Sequence, residues 1–336
     1  MSTKSVHTIA DIARLAGVSK STVSRALSDS PLICNETKER IRLIAKTHNF
    51  QINIPAQRLS TRQSNTIAFV THAYHQMFTV ADLFTLEILG GISEGLKKHN
   101  YDLLMVYVDP CVNDWAAQHF NTGKVDGFIL MTSSRKHSHI KTLLDQGAPF
   151  IAWGTPGSEP NYCTVTGDDH EGGKLAAQRL IGLGRQRIAF LGGPPDELEV
   201  EKRYAGFVEA LFSAGMTPEP ALVAYGDYSD TSGGEAMQTL LAQAPDLDAV
   251  FVNSDLMAIA AMKVLRKAGR RIPEDVAVIG YDNLSITEHC SPPLTTISQN
   301  IHLAGNLLAT NLLQYLQTRL VTHVTVPVEL VLRESA

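Results

Sequence analysis

The feature that most constrains the fold is a long alternation of short apolar segments with helical segments, beginning at residue 66. Apolar stretches such as TIAFV, RIAFLGG and DVAVIGYD have the length and composition of buried strands, and amphipathic segments such as GGKLAAQRLIGLG separate them. This alternation is typical of parallel sheets covered by helices on both faces. About ten such strands exceed what one sheet comfortably holds, so the sequence predicts two α/β lobes. Ligands of such sheets bind at the carboxyl ends of the strands, so we expect a binding cleft between the two lobes.

The cysteines and the amino terminus bear on where the protein works. Cys34, Cys111, Cys163 and Cys290 show neither paired spacing nor the spacing of metal ligands, which favours a reducing compartment. The amino terminus has no apolar run typical of a signal peptide, and no stretch of about 18 apolar residues occurs anywhere. We therefore expect a cytoplasmic protein with no membrane partner, no metal and no cofactor.

Charge is distributed unevenly along the chain. The whole chain carries −5, but residues 1–65 contain ten Lys and Arg against four Asp and Glu, so this segment carries +6 and the remainder −11. A basic segment on an acidic body indicates an anionic partner for that segment alone. A solvated charged surface would also account for the imbalance, so the local sequence motif has to decide.

Residues 8–47 predict three short helices. Thr8 is a good N-cap for the first helix, IADIARLA, and Gly17 ends it because glycine readily takes a positive φ. Ser19 caps the second helix, KSTVSRAL, and Asn35 is expected to cap the third. Two helices joined by a short glycine-containing turn are the pattern of a helix-turn-helix, in which the second helix presents side chains to DNA. The basic balance favours this interpretation over an ordinary helical hairpin.

Apolar spacing predicts which side chains close the core of this small domain. The first helix is expected to bury a stripe that includes Ile12 and Leu15, and the third is expected to contribute Ile41 with Leu43 or Ile44. The following segment, FQINIPAQRLSTRQSN, is a polar connector with little core material. Leu59 within it is apolar but has no domain core to join.

These segments together resemble one protein family. TIADIARLAGVSKSTVSRAL is similar to the DNA-binding signature of the lac repressor/galactose repressor (LacI/GalR) family, and the resemblance continues in order through RLSTRQSNTIAFV, RYAGFVEAL, NSDLMAIAAMKVL and VAVIGYDN. It covers essentially the whole chain. The resemblance implies an all-α helix-turn-helix head at residues 1–49, a hinge at 50–65, and an α/β two-lobed core with parallel sheets, similar to periplasmic sugar-binding proteins, at 66–336.

The resemblance also implies how the protein assembles and functions. It implies a transcriptional regulator without enzymatic activity that binds a pseudo-palindromic operator in double-stranded DNA as a homodimer, or as a tetramer. A small molecule bound in the core is expected to control operator affinity. The family core crosses three times between lobes, here near Cys163, Pro292 and Thr322. These crossings assign residues 66–163 and 293–322 to one lobe and 164–292 and 323–336 to the other.

Family DNA contacts carry over to the head and hinge. The second helix is expected to lie in the major groove, and Leu59 is expected to wedge into the minor groove at the operator centre and kink the duplex. The hinge departs from the family pattern at Ile52, where proline is usual, and at Pro55, which lies inside the hinge helix. The expected base readers are Lys20, Ser21 and Arg25; the expected phosphate contacts are Thr8, Ser19, Thr22 and Ser28; and the expected hinge contacts are Asn53, Ala56 and Leu59.

Family effector positions carry over to six residues of the core. Arg203 can donate several hydrogen bonds in one plane, neighbouring carboxylates can accept them from hydroxyls, and Tyr228 can stack on the apolar face of a sugar. This chemistry favours a neutral sugar or glycoside as the effector. Residues 72–78 and 131–133 are further candidates for the cleft lining. The six expected effector residues are Glu171, Arg203, Tyr228, Ser254, Asp282 and Gln299.

Three alternatives remain open from the residues themselves. The DDHE segment at 168–171 suggests a metal or acid–base site, but it lies at a strand-to-helix junction where acidic residues cap helices, and no second ligand cluster has suitable spacing. A transport-type binding protein would lack the basic head. The strongest alternative is a regulator of the same family that senses a nucleobase or a phosphorylated partner protein.

Overall fold

The computed structural model describes most of the chain as two compact units, residues 1–63 and 64–336. We call the described part of the first unit the head and that of the second the core. The boundary lies close to the predicted end of the hinge at residue 65. The described residues are 8–50, 63–72, 82–108, 114–131, 138–157 and 161–336.

The head consists of three helices, α1 Ile9–Ala16, α2 Lys20–Leu27 and α3 Asn35–Thr47. Thr8 and Asp11 form a reciprocal capping box at the start of α1, and Gly17 ends α1 at φ 66°. Ser19 Oγ accepts a hydrogen bond from the Thr22 backbone N–H at 3.1 Å and so caps α2. The predicted helix-turn-helix is therefore present with its predicted caps.

The head differs from the sequence-based expectation at two positions, Leu15 and Asn35. Asn35 is the first residue of α3 rather than its cap, because Cys34 occupies the cap position without a side-chain hydrogen bond. Leu15 is exposed, at 47%. Of the two alternatives on α3, Leu43 is exposed, at 66%, and Ile44 packs against the core. The helices contact one another through small residues, so the core needs only a narrow apolar stripe, made of Ile12, Ala13, Ala16, Val23, Ala26, Ile41 and Ala45.

The first lobe of the core is built on a six-stranded, all-parallel sheet in the order β11-β5-β4-β3-β1-β2. The strands at its centre are buried along nearly their whole length because helices cover both faces. The strands are β1 Thr66–His72, β2 Asp102–Val108, β3 Gly127–Met131, β4 Phe150–Trp153, β5 Cys163–Gly167 and β11 His323–Val326; the helices are α4 Leu83–Lys97, α5 Trp115–Phe120, α6 Ser138–Asp145 and α11 Ile301–Thr318.

The second lobe is built on a sheet in the order β12-β10-β9-β8-β6-β7, in which only the β10–β12 pair is antiparallel. Short 3₁₀ helices at Pro220–Leu222 and Ser285–His289 precede β7 and follow β9. The strands are β6 Ile188–Gly192, β7 Val223–Tyr225, β8 Ala249–Val252, β9 Ala277–Asp282, β10 Thr295–Ser298 and β12 Glu329–Val331; the helices are α7 Asp169–Gly182, α8 Leu198–Ser213, α9 Asp230–Gln243 and α10 Asp255–Lys267. The predicted fold class, a helix-turn-helix head with a two-lobed α/β core, is confirmed.

The chain passes between the two sheets one strand later than expected at each crossing. β5 and β11 pair with each other in the first sheet, and β10 pairs with β9 in the second. The crossings therefore follow β5, β10 and β11, rather than lying near Cys163, Pro292 and Thr322. An added Cβ at Gly167 would lie 2.8 Å from Gln299 Oε1 and 3.7 Å from Val328 Cγ1, so the three crossings are packed together.

In each lobe, helices approach one another closely at glycine residues. In the second lobe, a Cβ added to Gly173 on α7 would collide with the Arg203 carbonyl on α8, and one added to Gly206 would collide with the His170 carbonyl. In the first lobe, Gly91 on α4 and Gly305 on α11 make the same reciprocal contacts with the partner backbone. The α7–α8 contact fixes the backbone of Arg203, the central residue of the site described next.

Candidate functional site

The exposed face of α2 is the candidate DNA-reading surface of the head. Val23 and Ala26 are fully buried against the other helices, which turns Lys20, Ser21 and Arg25 outward, where all three are exposed. Arg25 makes no ion pair within the described part of the head, so its guanidinium is available to a partner. The arrangement has the exposed donors that major-groove readout requires.

Short hydrogen bonds organise the predicted phosphate contacts. Ser19 Oγ lies 2.8 Å from Ser21 Oγ and 2.9 Å from Thr22 Oγ1 at the amino end of α2. Ser28 Oγ donates to the Ser24 carbonyl at 2.9 Å, and Thr8 is held in its capping box. Of the remaining predicted DNA contacts, Asn53, Ala56 and Leu59 lie outside the described residues, as do Ile52 and Pro55.

Asp29 ties the end of α2 to α3. It lies just after α2 with φ 60°, and its carboxylate pairs with Lys38 at 3.1 Å and Arg42 at 2.7 Å. Hydrogen bonds from these two cations hold the pKa of the Asp29 carboxyl below its usual value. The contact sets the orientation of α2 on α3, and nothing in the sequence spacing had pointed to it.

In the core, Arg203 is the centre of the candidate effector site. Only 6% of it is exposed, and its Nε donates to Asp169 Oδ1 at 2.8 Å while Nη1 donates to the Asn253 carbonyl at 2.8 Å. Its guanidinium lies 3.7 Å from the centre of the Tyr281 ring. The buried pair joins the start of α7 to α8 and to the carboxyl end of β8, so Arg203 is held in one orientation toward the cleft.

Asp282 and Gln299 form the second part of the site. Gln299 Nε2 donates to Asp282 Oδ1 at 2.6 Å, and both side chains are buried. Burial first, and the nearby Asp255 carboxylate second, raise the pKa of Asp282 well above its usual value. Asp282 has φ 117°, a strained conformation for a residue with a side chain. Such strain concentrates at functional positions, and here it places the carboxyl at the end of β9.

Of the other three predicted effector residues, Tyr228 lies close enough to Arg203 and Asp169 for their charges to act on it, whereas Ser254 caps a helix and Glu171 follows the cap of another. Tyr228 lies over Gly193, since a Cβ there would collide with its ring, and burial followed by the nearby Glu199 carboxylate raises its pKa well above the usual value. Ser254 Oγ accepts from the Met257 N–H at 3.3 Å and so caps α10. Glu171 is brought to no contact with Arg203; Asp169, two residues earlier, supplies that carboxylate.

Sequence reasoning missed Asp169 because Asp168 and Asp169 look alike in DDHE. Asp168 caps α7, as expected for that segment, and accepts from the Glu171 N–H at 3.1 Å. Asp169 is 3% exposed and also accepts from Thr155 Oγ1 at 2.8 Å. A helix needs only one N-cap residue. The second aspartate in DDHE could therefore have been recognised as a candidate for a different function.

The first lobe faces this site with both polar and aromatic groups. Asp82 caps α4, burial raises its pKa, and its charge acts on Asp282 of the other lobe. Phe84, at the amino end of α4, and Trp153, at the carboxyl end of β4, pack with ring centroids 6.1 Å apart. Of the further candidates for the cleft lining, Met131 is buried in the first-lobe core, whereas 73–78, Thr132 and Ser133 lie outside the described residues.

Neither metal chemistry nor a membrane span finds support in the described segments. No group of three or more His, Cys, Asp or Glu side chains in them has the geometry to hold a metal ion, the DDHE segment included. Within the same segments, no helix has both the length and the apolar character needed to cross a bilayer.

Family models match the chain in two places. Residues 8–53 match the model described as bacterial regulatory proteins, lacI family, and residues 177–336 match a periplasmic binding protein-like domain. The first range contains the three head helices, and the second contains most of the second lobe.

Full-length comparisons agree with these matches. The chain is 37% identical over 330 residues to the HTH-type transcriptional regulator CelR of Thermobifida fusca, covering 97% of this chain and 95% of that protein. A solved transcriptional regulator CelR–cellobiose complex superimposes with a TM-score of 0.77 at 34% identity, covering 98% of this chain and 99% of that one. A lac repressor dimer bound to operator and the anti-inducer ONPF superimposes with a TM-score of 0.82 at 26% identity, covering 98% of both chains.

Proposed function

This chain belongs to the LacI family of bacterial regulatory proteins, and on that premise we propose that it is a repressor whose operator affinity is controlled by a sugar or glycoside bound between the core lobes. The observation that carries the proposal is the buried Arg203–Asp169 pair beside Asp282 and Gln299, at the carboxyl ends of the second-lobe strands. A planar cation surrounded by carboxylates matches the neighbouring hydroxyls of a sugar.

The head acts on DNA through α2. Its exposed Lys20, Ser21 and Arg25 read base edges in the major groove, and Thr8, Ser19, Thr22 and Ser28 set the register on phosphates. The hinge residues Asn53, Ala56 and Leu59 complete the contact in the minor groove, with Leu59 as the wedge. The +6 charge of residues 1–65 supplies the salt-dependent, sequence-independent part of the affinity.

A sugar effector is supported by a solved relative and by the position of the site. The related CelR regulator has been solved as a complex with cellobiose. In this chain, Asp169 and Gln299 each lie within one residue of a crossing between the lobes. A ligand that binds Arg203, Asp169 and Asp282 therefore acts where the lobes pivot, and operator affinity changes if the ligand prefers one lobe arrangement over the other.

A homodimer is supported by the edge of the first sheet. β2 is the edge strand, and its Met105 and Tyr107 are exposed, Tyr107 at 71%. Leu86 is also exposed and lies on α4, a helix that contacts β2. Exposed apolar side chains on an edge strand are a liability unless a partner covers them. A homodimer, or a tetramer made of such dimers, would present two heads to a pseudo-palindromic operator.

A second candidate effector class is a nucleobase. The observation that favours it is the aromatic pair of Phe84 and Trp153 on the first-lobe side, because aromatic rings stack on purines. A thermal-shift screen of the full chain against sugars, glycosides and nucleobases distinguishes the two classes, since a ligand that binds only the folded state raises its stability. A shift with nucleobases alone contradicts the sugar proposal.

Replacement of Arg25 tests the DNA-reading role. We expect Arg25→Ala to lower the preference for an operator selected in vitro over random duplex by about tenfold, since one bidentate base contact is worth about 1–3 kcal/mol. Fluorescence anisotropy at fixed salt measures both affinities. Arg14→Ala is the matched control, because Arg14 is an exposed head arginine that pairs with Asp11 at 3.1 Å. Equal losses on operator and random DNA would mean that Arg25 contacts phosphate only.

A further inference from the structure

Two polar side chains in the second lobe have buried atoms that the described contacts leave unsatisfied. Asn253 is fully buried, and within the described residues neither its amide oxygen nor its amide nitrogen has a hydrogen-bond partner. Oε2 of Glu199 is likewise buried and has no hydrogen-bond partner within the described residues. A buried group without a partner costs about 1–3 kcal/mol, so a partner supplied from outside the chain is a natural explanation.

Both side chains lie beside Arg203, at the cleft end of the sheet. Asn253 follows β8 directly, and its carbonyl accepts from Arg203 Nη1 at 2.8 Å. Ala249 and Phe251 of β8 belong to the cluster under α7 and α8, so strand alternation turns Asn253 to the same side. Glu199 lies one turn before Arg203 on α8 and acts on Tyr228, which covers Gly193 at the end of β6. We call this group the Glu199 site.

The Glu199 site has more negative than positive groups. From α7 it faces Asp169, from α8 Glu197 and Arg203, and from the loop after β7 the Tyr228 hydroxyl. Arg203 is already paired with Asp169 at 2.8 Å, and Glu197 is 4% exposed. Burial first, then Asp169 and Glu197, raise the pKa of Glu199 to about 8. Without ligand, the site therefore holds a proton on Glu199 near neutral pH.

We propose that the effector is an amino sugar whose protonated amine pairs with Glu199 and whose adjacent hydroxyl binds the Asn253 amide. The inference rests on the proposed function and changes the expected ligand from a neutral to an amine-bearing sugar. The ammonium group takes the place of the proton that Glu199 releases, so the carboxylate that forms is paired with one positive charge. The Asn253 amide, with one donor and one acceptor group, matches the hydroxyl beside the amine in a 2-amino-2-deoxy sugar.

The test compares two sugars with one skeleton. Cellobiose and the β-1,4-linked disaccharide of glucosamine differ in whether a hydroxyl or an amine stands at each C2. Isothermal titration of the full chain at pH 6.5 should give at least tenfold tighter binding of the amino disaccharide. Glu199 must lose its proton to pair with an ammonium, so binding of the amino sugar should release about one proton, and binding of cellobiose should release none. The number of protons released is obtained by repeating the titration in two buffers of different ionisation enthalpy.

Two variants separate a charge effect from a structural one. Glu199→Gln keeps the shape of the side chain and should abolish both the preference for the amine and the proton release. Glu209→Gln is the control, because Glu209 is a half-exposed carboxylate on the same helix that pairs with Lys174, and it should change neither. Circular dichroism spectra of both variants, recorded before the titrations, check that each variant folds like the parent.

The outcomes distinguish this inference from the proposed function. Equal or tighter binding of cellobiose by the parent overturns the inference and leaves the sugar effector standing. Preference for the amine that survives in Glu199→Gln also overturns it. If neither disaccharide nor any other sugar binds, the proposed effector class fails and the inference fails with it.

Discussion

At the scale of single residues, the candidate effector site is built around one buried ion pair. Arg203 and Asp169 are both more than nine-tenths buried. Asp169→Asn would leave the guanidinium with a neutral partner, so we expect the free energy of unfolding to fall by about 3–5 kcal/mol and sugar binding to be lost. Denaturant unfolding and titration calorimetry measure the two effects. Glu209→Gln, which removes an exposed pair, should cost less than about 1 kcal/mol; a similar loss in both variants would show that burial is not the cause.

Buried carboxyls also predict how the stability of the core depends on pH. The pKa values of Asp255 and Glu199 are raised to about 7 and about 8, burial being the largest cause for each. In the unfolded chain such groups titrate at about 4. The folded state therefore binds more protons between these values, and stability falls as pH rises toward 8.

We expect the melting temperature of the ligand-free protein to be several degrees lower at pH 8 than at pH 6. Differential scanning calorimetry measures it, and Glu199→Gln should reduce the dependence. Asp275→Asn is the control, since the Arg271 hydrogen bond holds the pKa of Asp275 at about 2, far below this range. A melting temperature that rises from pH 6 to pH 8 would contradict the burial argument.

At the scale of helices and strands, the helix caps could be predicted from the sequence, but the pairing of distant strands could not. Thr8, Gly17 and Ser19 act within one or two turns of their own helix, so the sequence alone located them. Strands β10, β11 and β12 contain only three or four residues, and their pairing joins segments that are distant along the chain. Such short strands have little periodicity to detect, so the sequence alone could not refine the lobe crossings that the family resemblance implied.

The effector residues show the same division. The sequence could place Arg203 on a recognisable helix motif and Asp282 at the end of a recognisable strand, and their role in binding an effector stays a prediction. The structure brings three further residues to Arg203, namely Asp169, Asn253 and Glu199. These contacts join segments that are distant along the chain, so a single sequence does not reveal them.

The close packing of α7 on α8 gives a prediction at this scale. A Cβ at Gly173 would collide with the Arg203 carbonyl, so Gly173→Ala should cost about 1–3 kcal/mol of stability and weaken sugar binding as Arg203 moves. Gly182→Ala on the same helix is the matched control, because a Cβ there meets nothing within 4 Å and alanine favours a helix. Thermal unfolding and calorimetry of both variants test this. An unchanged Gly173→Ala protein would mean that the helices separate without cost.

At the scale of the whole molecule, DNA binding should depend on assembly while sugar binding should not. Tyr107 is 71% exposed on the edge strand β2, so Tyr107→Asp should leave the fold intact and yet disfavour a dimer. We expect a monomer in sedimentation and at least tenfold weaker operator binding, with sugar affinity unchanged. Leu332→Asp is the control, since Leu332 is also exposed, at 56%, but lies beyond β12 in the other lobe. A dimer that persists in Tyr107→Asp would exclude this edge as the interface.

The packing of the three crossings has a mechanical consequence. Asp168 alone separates β5 from α7, and Gln299 with Asn300 separates β10 from α11, while glycine contacts hold both helices rigidly in their lobes. If the lobes rotate against each other, the backbone would bend at the short connections packed around Gly167, and each lobe would move as a stiff arm. A displacement smaller than a bond length at Asp169 or Gln299 is multiplied in proportion to arm length at the far end of each lobe. In the proposed mechanism, a ligand that shifts Asp169 or Gln299 by a short distance would therefore produce a larger displacement at the far end of each lobe.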